Sequence, residues 1–233
     1  MAQTKLRTFI KGQPILVKLF RLWQRRNFFN VNDRTGVSGV GNNFHIEKNT
    51  KLNGCKFEIV GNHNVIVVGE SSLLKDVIFY IRGSNNKILI GNQVSFNHGS
   101  SLWIEDNNCA IRIGNRTTFE NVHIAVTESG SSITIGSDCM FASDIDIRTG
   151  DSHSIIDAVT MKRINHAKNV EIEDHVWVAS HVTILKGVKI EKNSVVSTRS
   201  VVTKSLGGEG VLIGGAPARI MKENITWDRS RLV

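Results

Sequence analysis

The chain has 233 residues, 40% apolar and 6% aromatic, with 20 glycines, 2 prolines and 3 cysteines. That composition suits one large or two small domains with a real core, and excludes a disordered polymer or a disulfide-dense scaffold. The net charge of +8 is uneven: residues 1–35 hold eight Lys or Arg against Asp33 alone, and subtracting these from totals of 29 and 21 leaves 21 basic and 20 acidic residues. A nucleic-acid-binding face across the whole domain is therefore excluded, and no run approaches the roughly 18 apolar residues of a membrane span.

Residues 1–35 read as a basic amphipathic segment. Leu6, Phe9 and Ile10, then Leu16, Leu19, Phe20 and Trp23, follow helical spacing, with Pro14 as the break. Lys11 and Lys18 split what would be the apolar region of a signal peptide. Two readings stay open here. One is a short helix packed on the main domain; the other is attachment through residues 1–30 to an anionic membrane surface, an acidic polymer or its assembly machinery.

Beyond this segment a repeat begins. Val68-Gly69, Ile90-Gly91, Ile113-Gly114 and Ile135-Gly136 recur at intervals of 22, 23 and 22 residues. The last three have an isoleucine two places earlier (Ile88, Ile111, Ile133) and a phenylalanine six places later (Phe96, Phe119, Phe141). Such an interval fits about 18 residues of coil plus a corner loop of about four or five. Asn85-Asn86 and Asn107-Asn108 suit those corners, because asparagine tolerates left-handed backbone. Cys55, Cys109 and Cys139 lack metal-ligand spacing and read as reduced and structural.

The rhythm then breaks at Gly150-Asp151-Ser152-His153-Ser154-Ile155. Counting in sixes from Ile135 through Phe141 and Ile147 reaches His153, an inward place if the phase survives Gly150. A bare histidine buried there is costly, so the chain is expected to leave the coil. On spacing alone, His153 is either an ordinary corner residue or a base lifted off a flat face.

From residue 170 the period is six. Ile172, Val178, Ile184, Ile190, Val196 and Val202 follow one another at that spacing, and Val170, Val176, Val182 and Val188 repeat two places ahead. Neither a helix nor a meander sustains this, and it predicts a parallel β-helix whose stacked coils bury a shared inward face. Ile184 then points inward, and Trp177, one place before Val178, points outward.

The stretch Val170–Arg219 contains V-E-I-E-D-H-V-W-V, I-L-K-G-V-K-I, S-V-V-T-K and G-G-A-P-A-R in that order. It resembles the C-terminal half of the left-handed β-helix acetyltransferases, and the resemblance extends over roughly residues 40–222. It is similar above all to the branch that O-acetylates bacterial capsular or other surface polysaccharides. There a D-x-H-x-[IL] element precedes a loop, an R-I-N stretch and a V-W pair, here Asp151–Ile155, Arg163-Ile164-Asn165 and Val176-Trp177. The resemblance implies an all-β, left-handed parallel β-helix over residues 36–222 with a loop inserted at about 154–169, after the segment 1–35 and before a tail at 223–233. It also implies acetyl-coenzyme A as donor, a carbohydrate acceptor, no required metal, a cytoplasmic location, and a homotrimer with active sites between subunits; the basic N-terminal segment adds the expectation of an acidic acceptor.

Residue by residue, the resemblance makes His153 the catalytic base, with Asp151 beside it. It places the cofactor on Trp177, Ala179, Ser197, Thr198, Lys204 and Arg219, with Arg199 and Lys222 as further cations, and the acceptor on Trp177, Arg163 and Asn165. Ser197-Thr198-Arg199 departs from the family's smaller residues. Trp227 would cover the adenine or cap the prism. The chemistry fits these residue types: a thioester is already activated, a sugar hydroxyl is not, and the minimum machinery is a base plus a donor to the developing oxyanion. Neutral imidazole is such a base at physiological pH. Three alternatives remain at this stage. They are an N-acetyltransferase of an amino-sugar nucleotide, a non-catalytic scaffold, and a γ-carbonic-anhydrase-like zinc enzyme using His153, His175 and His181.

Overall fold

Two-residue strands alternate one outward and one inward side chain, and this alternation builds the whole molecule. In Trp177–Val178, Thr183–Ile184 and Lys189–Ile190 the first residue is half-buried and the second buried. The computed structural model describes residues 33–232, so the helix expected in the N-terminal segment lies outside the described residues. Among the described residues, twenty-four strands pass in turn along three faces, called A, B and C in chain order. Face A has eight strands, face B seven and face C nine, each bonded to the strands one coil away. All pair in parallel except the last hairpin, Leu212–Gly215 with Ala218–Lys222. The result is a parallel β-solenoid of about eight turns, a three-sided prism. Its first strand, Asp33–Ser38, starts three residues before the expected boundary, and its last ends at Lys222.

The inward phase read from the hexads holds. Ile172, Val178, Ile184, Ile190, Val196 and Val202 are each at most 1% exposed, and each such burial is worth about 1.5–3 kcal/mol. In the earlier coils the interior is aromatic: Phe96 stacks on Phe119 at 4.4 Å and Phe119 on Phe141 at 4.7 Å. The corners follow expectation, with Asn85 and Asn108 in left-handed backbone at φ 59° and 58°. Their neighbour Asn86 is buried and makes a rung between coils: its N–H donates to Asn64 Oδ1 (3.0 Å), its Nδ2 to the Asp106 carbonyl (2.9 Å), and its Oδ1 accepts from the Cys109 N–H (2.8 Å). The glycine of each Ile-Gly pair has a steric reason. A Cβ on Gly114 would lie 2.5 Å from the carbonyl carbon of Gly136 in the next coil.

All three cysteines are buried. Burial pushes the Cys139 thiol up to about 12 and the Cys55 thiol up to about 11, which suits inert packing residues. Among the described residues no helix is long and apolar enough to cross a membrane.

Candidate active site

The strand Ile145–Arg148 on face A is followed by 21 residues before the strand Val170–Ile172 resumes on face B. This excursion leaves from the edge between faces A and B. Gly150 is required at its start, because a Cβ there would meet Thr127 Oγ1 at 2.4 Å. Ser152 takes left-handed backbone at φ 64°, and the coil phase is lost: His153, inward by simple counting, is exposed.

The backbone around His153 is tied by a polar hub. Asn165, 6% exposed, donates from Nδ2 to the His153 carbonyl at 2.7 Å and to Asp151 Oδ2 at 2.8 Å. Its Oδ1 accepts from the Ile155 N–H at 2.7 Å and from Arg163 Nε at 3.1 Å. Lys186 pairs with Asp151 and donates to the Asn165 carbonyl at 3.0 Å. Arg163 pairs with Glu128. The hydrogen bond from Lys186, with a second from Asn165, holds the Asp151 carboxyl below the usual carboxylate range. Among the described residues no side chain is hydrogen-bonded to the His153 ring. Asp151 therefore faces Lys186 and Asn165 rather than orienting the imidazole, and Asn165 has its amide fully engaged inside the loop. Beyond the hub, Ile156 and Arg163 form an antiparallel bridge. Val159 and Met161 in the turn between them, and Ile155 and Ile164 flanking the bridge, are more than half exposed.

The remaining expected residues lie elsewhere. Trp177 stands outward on face C, half-buried. Ala179 and Ser197 follow the face C strands of successive coils, where the Ala179 N–H donates to the Val196 carbonyl (2.9 Å) and the Ser197 N–H to the Ile213 carbonyl (2.8 Å). These small residues thus stack one coil above another, just past the face C strands. The departure at Ser197-Thr198 has a local reason, since both hydroxyls turn back onto backbone: Ser197 Oγ donates to the Ile213 carbonyl (3.0 Å) and Thr198 Oγ1 to the Ser180 carbonyl (2.8 Å). Arg199, Lys204, Arg219 and Lys222 are exposed at this end of the prism.

One chain thus brings His153, Asp151, Arg163 and Asn165 together, and gathers Trp177, Ala179, Ser197 and Thr198 separately. The A–B edge lies across the prism from face C, so a single prism does not join the two groups. His175 and His181 sit at different corners and pair with Asp138 and Asp144. Trp227 neither caps the prism nor stands free, but packs on its side against His175 and near Trp177. Lys186 and Glu128 were not foreseen. Both meet partners 35 residues away, and no local spacing marks such pairs.

Fold and site together define an acyltransferase of the hexapeptide-repeat type. No protein-family model matches the chain. The chain is 36% identical over 191 residues to the polysialic acid O-acetyltransferase of Neisseria meningitidis, a match covering 82% of this chain and 87% of that protein. Its structure is similar to that of the polysialic acid O-acetyltransferase OatWY, with a TM-score of 0.79 and 33% identity over 86% of this chain and 92% of that one. It is also similar to the polySia-specific acetyltransferase NeuO, with a TM-score of 0.71 and 32% identity over 85% and 88%. The chain belongs to this family of O-acetyltransferases.

Proposed function

We propose that this enzyme transfers an acetyl group from acetyl-coenzyme A to a hydroxyl of an acidic capsular polysaccharide, directly and with His153 as general base. The observation that carries the reading is the exposed His153 imidazole on a backbone clamped by Asn165, Asp151 and Lys186. A clamped backbone lowers the cost of holding the base in reach of a hydroxyl. The names of the relatives, which act on polysialic acid, favour a sialylated acceptor. The small stacked residues Ala179 and Ser197 suit a pantetheine arm laid along them, and the exposed cations Lys204 and Arg219 suit the donor's phosphates. When bound, the donor supplies the activated acetyl carbonyl. His153 accepts the hydroxyl proton at a ring nitrogen as the hydroxyl oxygen bonds to that carbonyl carbon, and returns the proton to the coenzyme A thiolate released when the carbon–sulfur bond breaks; the developing oxyanion requires a hydrogen-bond donor.

In this reading the enzyme is a homotrimer. The separation of His153 from Trp177 across one prism supports active sites shared between neighbours. The acyltransferase domain is residues 36–222. The basic residues 1–30 hold the enzyme near the cytoplasmic membrane surface where an acidic polymer is assembled. The test is release of free coenzyme A thiol against sialylated, uronic-acid-containing and neutral oligosaccharides and amino-sugar nucleotides. Turnover on a sialylated oligosaccharide is expected. Turnover confined to an amino-sugar nucleotide would transfer the reading to N-acetylation.

A further inference from the structure

The last ten described residues do not hang from the end of the prism. After the strand Ala218–Lys222, the Ile225 N–H donates to the Gly210 carbonyl at 2.8 Å, and the segment then runs back along the edge between faces B and C. It descends past the coil of His175 to the coils of Asp138 and Arg116. Trp227 is 8% exposed. Its indole stacks on the His175 ring at 4.4 Å and 9° and donates from Nε1 to the His175 carbonyl at 2.8 Å. His175 Nε2 meets the Trp227 carbonyl at 3.0 Å, and its Nδ1 meets Asp138 Oδ2 at 2.9 Å. Arg229 fastens the far end. Its Nη1 donates to Thr118 Oγ1 (2.9 Å), its Nη2 to the Cys139 carbonyl (2.8 Å) and the Arg116 carbonyl (3.3 Å), and its Nε to Asp138 Oδ1 (3.3 Å). The guanidinium also lies 5.6 Å from the Trp227 ring.

The result of this fastening is felt at Trp177. On face C its strand neighbours are Met140 and Val195, and Trp227 stands beside it at 6.2 Å and 48°, inside the range of favourable aromatic pairs. A tryptophan standing outward on a flat face has several rotamers open to it. The buried Trp227 occupies one side of the indole and restricts the rotamers open to it.

We propose that residues 223–232 form a strap that completes the Trp177 side of the transfer site, with Trp227 as a positioning residue acting through Trp177. This rests on the reading that Trp177 lines the site. Trp227 itself is too buried to be a broad contact surface.

The test is a kinetic double-mutant cycle on the full chain, with melting temperature measured in parallel. Trp227→Ala is expected to raise KM for acetyl-coenzyme A or for the acceptor about tenfold, with kcat changed less, and Trp227→Phe is expected to recover most of the loss. In a Trp177→Ala background, Trp227→Ala is expected to add nothing. Should Trp227→Ala prevent folding, Arg229→Met loosens the far end of the strap while leaving Trp227 and Trp177 in place, and the same KM shift, absent in the Trp177→Ala background, is expected. Additive losses, or unchanged KM in every strap variant while Trp177→Ala is impaired, overturn the strap alone. An unimpaired Trp177→Ala enzyme overturns both the strap and the placement of Trp177 in the site.

Discussion

The early and late coils of this prism share three faces but not one cross-section. Face A strands in the early coils, such as Lys56–Val60, Ile78–Arg82 and Ser101–Glu105, are five residues long, whereas Thr183–Ile184 and Val201–Val202 have two. Each long strand turns two side chains inward, among them Phe57 with Ile59 and Phe79 with Ile81, and each short one turns a single Ile184 or Val202 inward. Wide coils are filled by phenylalanine stacks and narrow ones by β-branched residues. The excursion that carries His153 emerges where the prism narrows, after Ile145–Arg148 and before the short strands of face A. A step in width is where a chain can leave a regular coil without uncovering its core.

Perturbing the narrow coils should have the largest effect. Ile184 is fully buried, and Ile184→Asp places an unpaired carboxylate in the stack; no cooperative melting transition is expected by circular dichroism, and a normal melt would show the inward phase to be wrong. The two regimes should also respond oppositely to size. Phe119→Ala in a wide coil is expected to lose about 3–5 kcal/mol through a cavity. Val196→Phe in a narrow coil is expected to lose about 1–3 kcal/mol through overpacking. Denaturant titration measures both, and tolerance of Val196→Phe would contradict the difference in width.

At the step itself, His153→Ala should lower turnover by about 10²–10⁴ without shifting the melting temperature, as the ring is exposed and has no partner among the described residues. Lys186→Met should have a smaller effect, about tenfold on kcat, with Lys186→Arg closer to wild type. This pair also sets a pH dependence. Because Lys186 depresses the Asp151 carboxyl, the clamp is fully formed above the ordinary carboxylate range and is lost as pH falls through the lowered value. Hydrogen exchange of residues 150–165 should therefore quicken only at acid pH, and quickening between pH 6 and 8 would place the control elsewhere.

Most of the fold was legible because each coil repeats the same burial problem. The hexads from Ile172 to Val202 and the Ile-Gly pairs marked the inward positions, and the break at Gly150 marked the excursion. The site was legible only as residue types in order. That Asp151 turns to Lys186 rather than to His153 depends on which corner follows Ile184 one coil later. That Trp227 returns to His175 depends on a strap crossing 52 residues of sequence. Such contacts are fixed by where the prism brings its edges, and short-range spacing carries no trace of them.

The most direct measurement mixes two inactive subunits. His153→Ala and Trp177→Ala chains would be co-expressed, and the purified oligomer assayed for acetyl transfer beside each parent. If each site takes its base from one prism and its tryptophan from the next, random trimers should recover up to about a quarter of wild-type activity. No recovery, from oligomers shown to contain both chains, would mean that one chain holds the whole site and that the two edges of the prism do not work together across an interface.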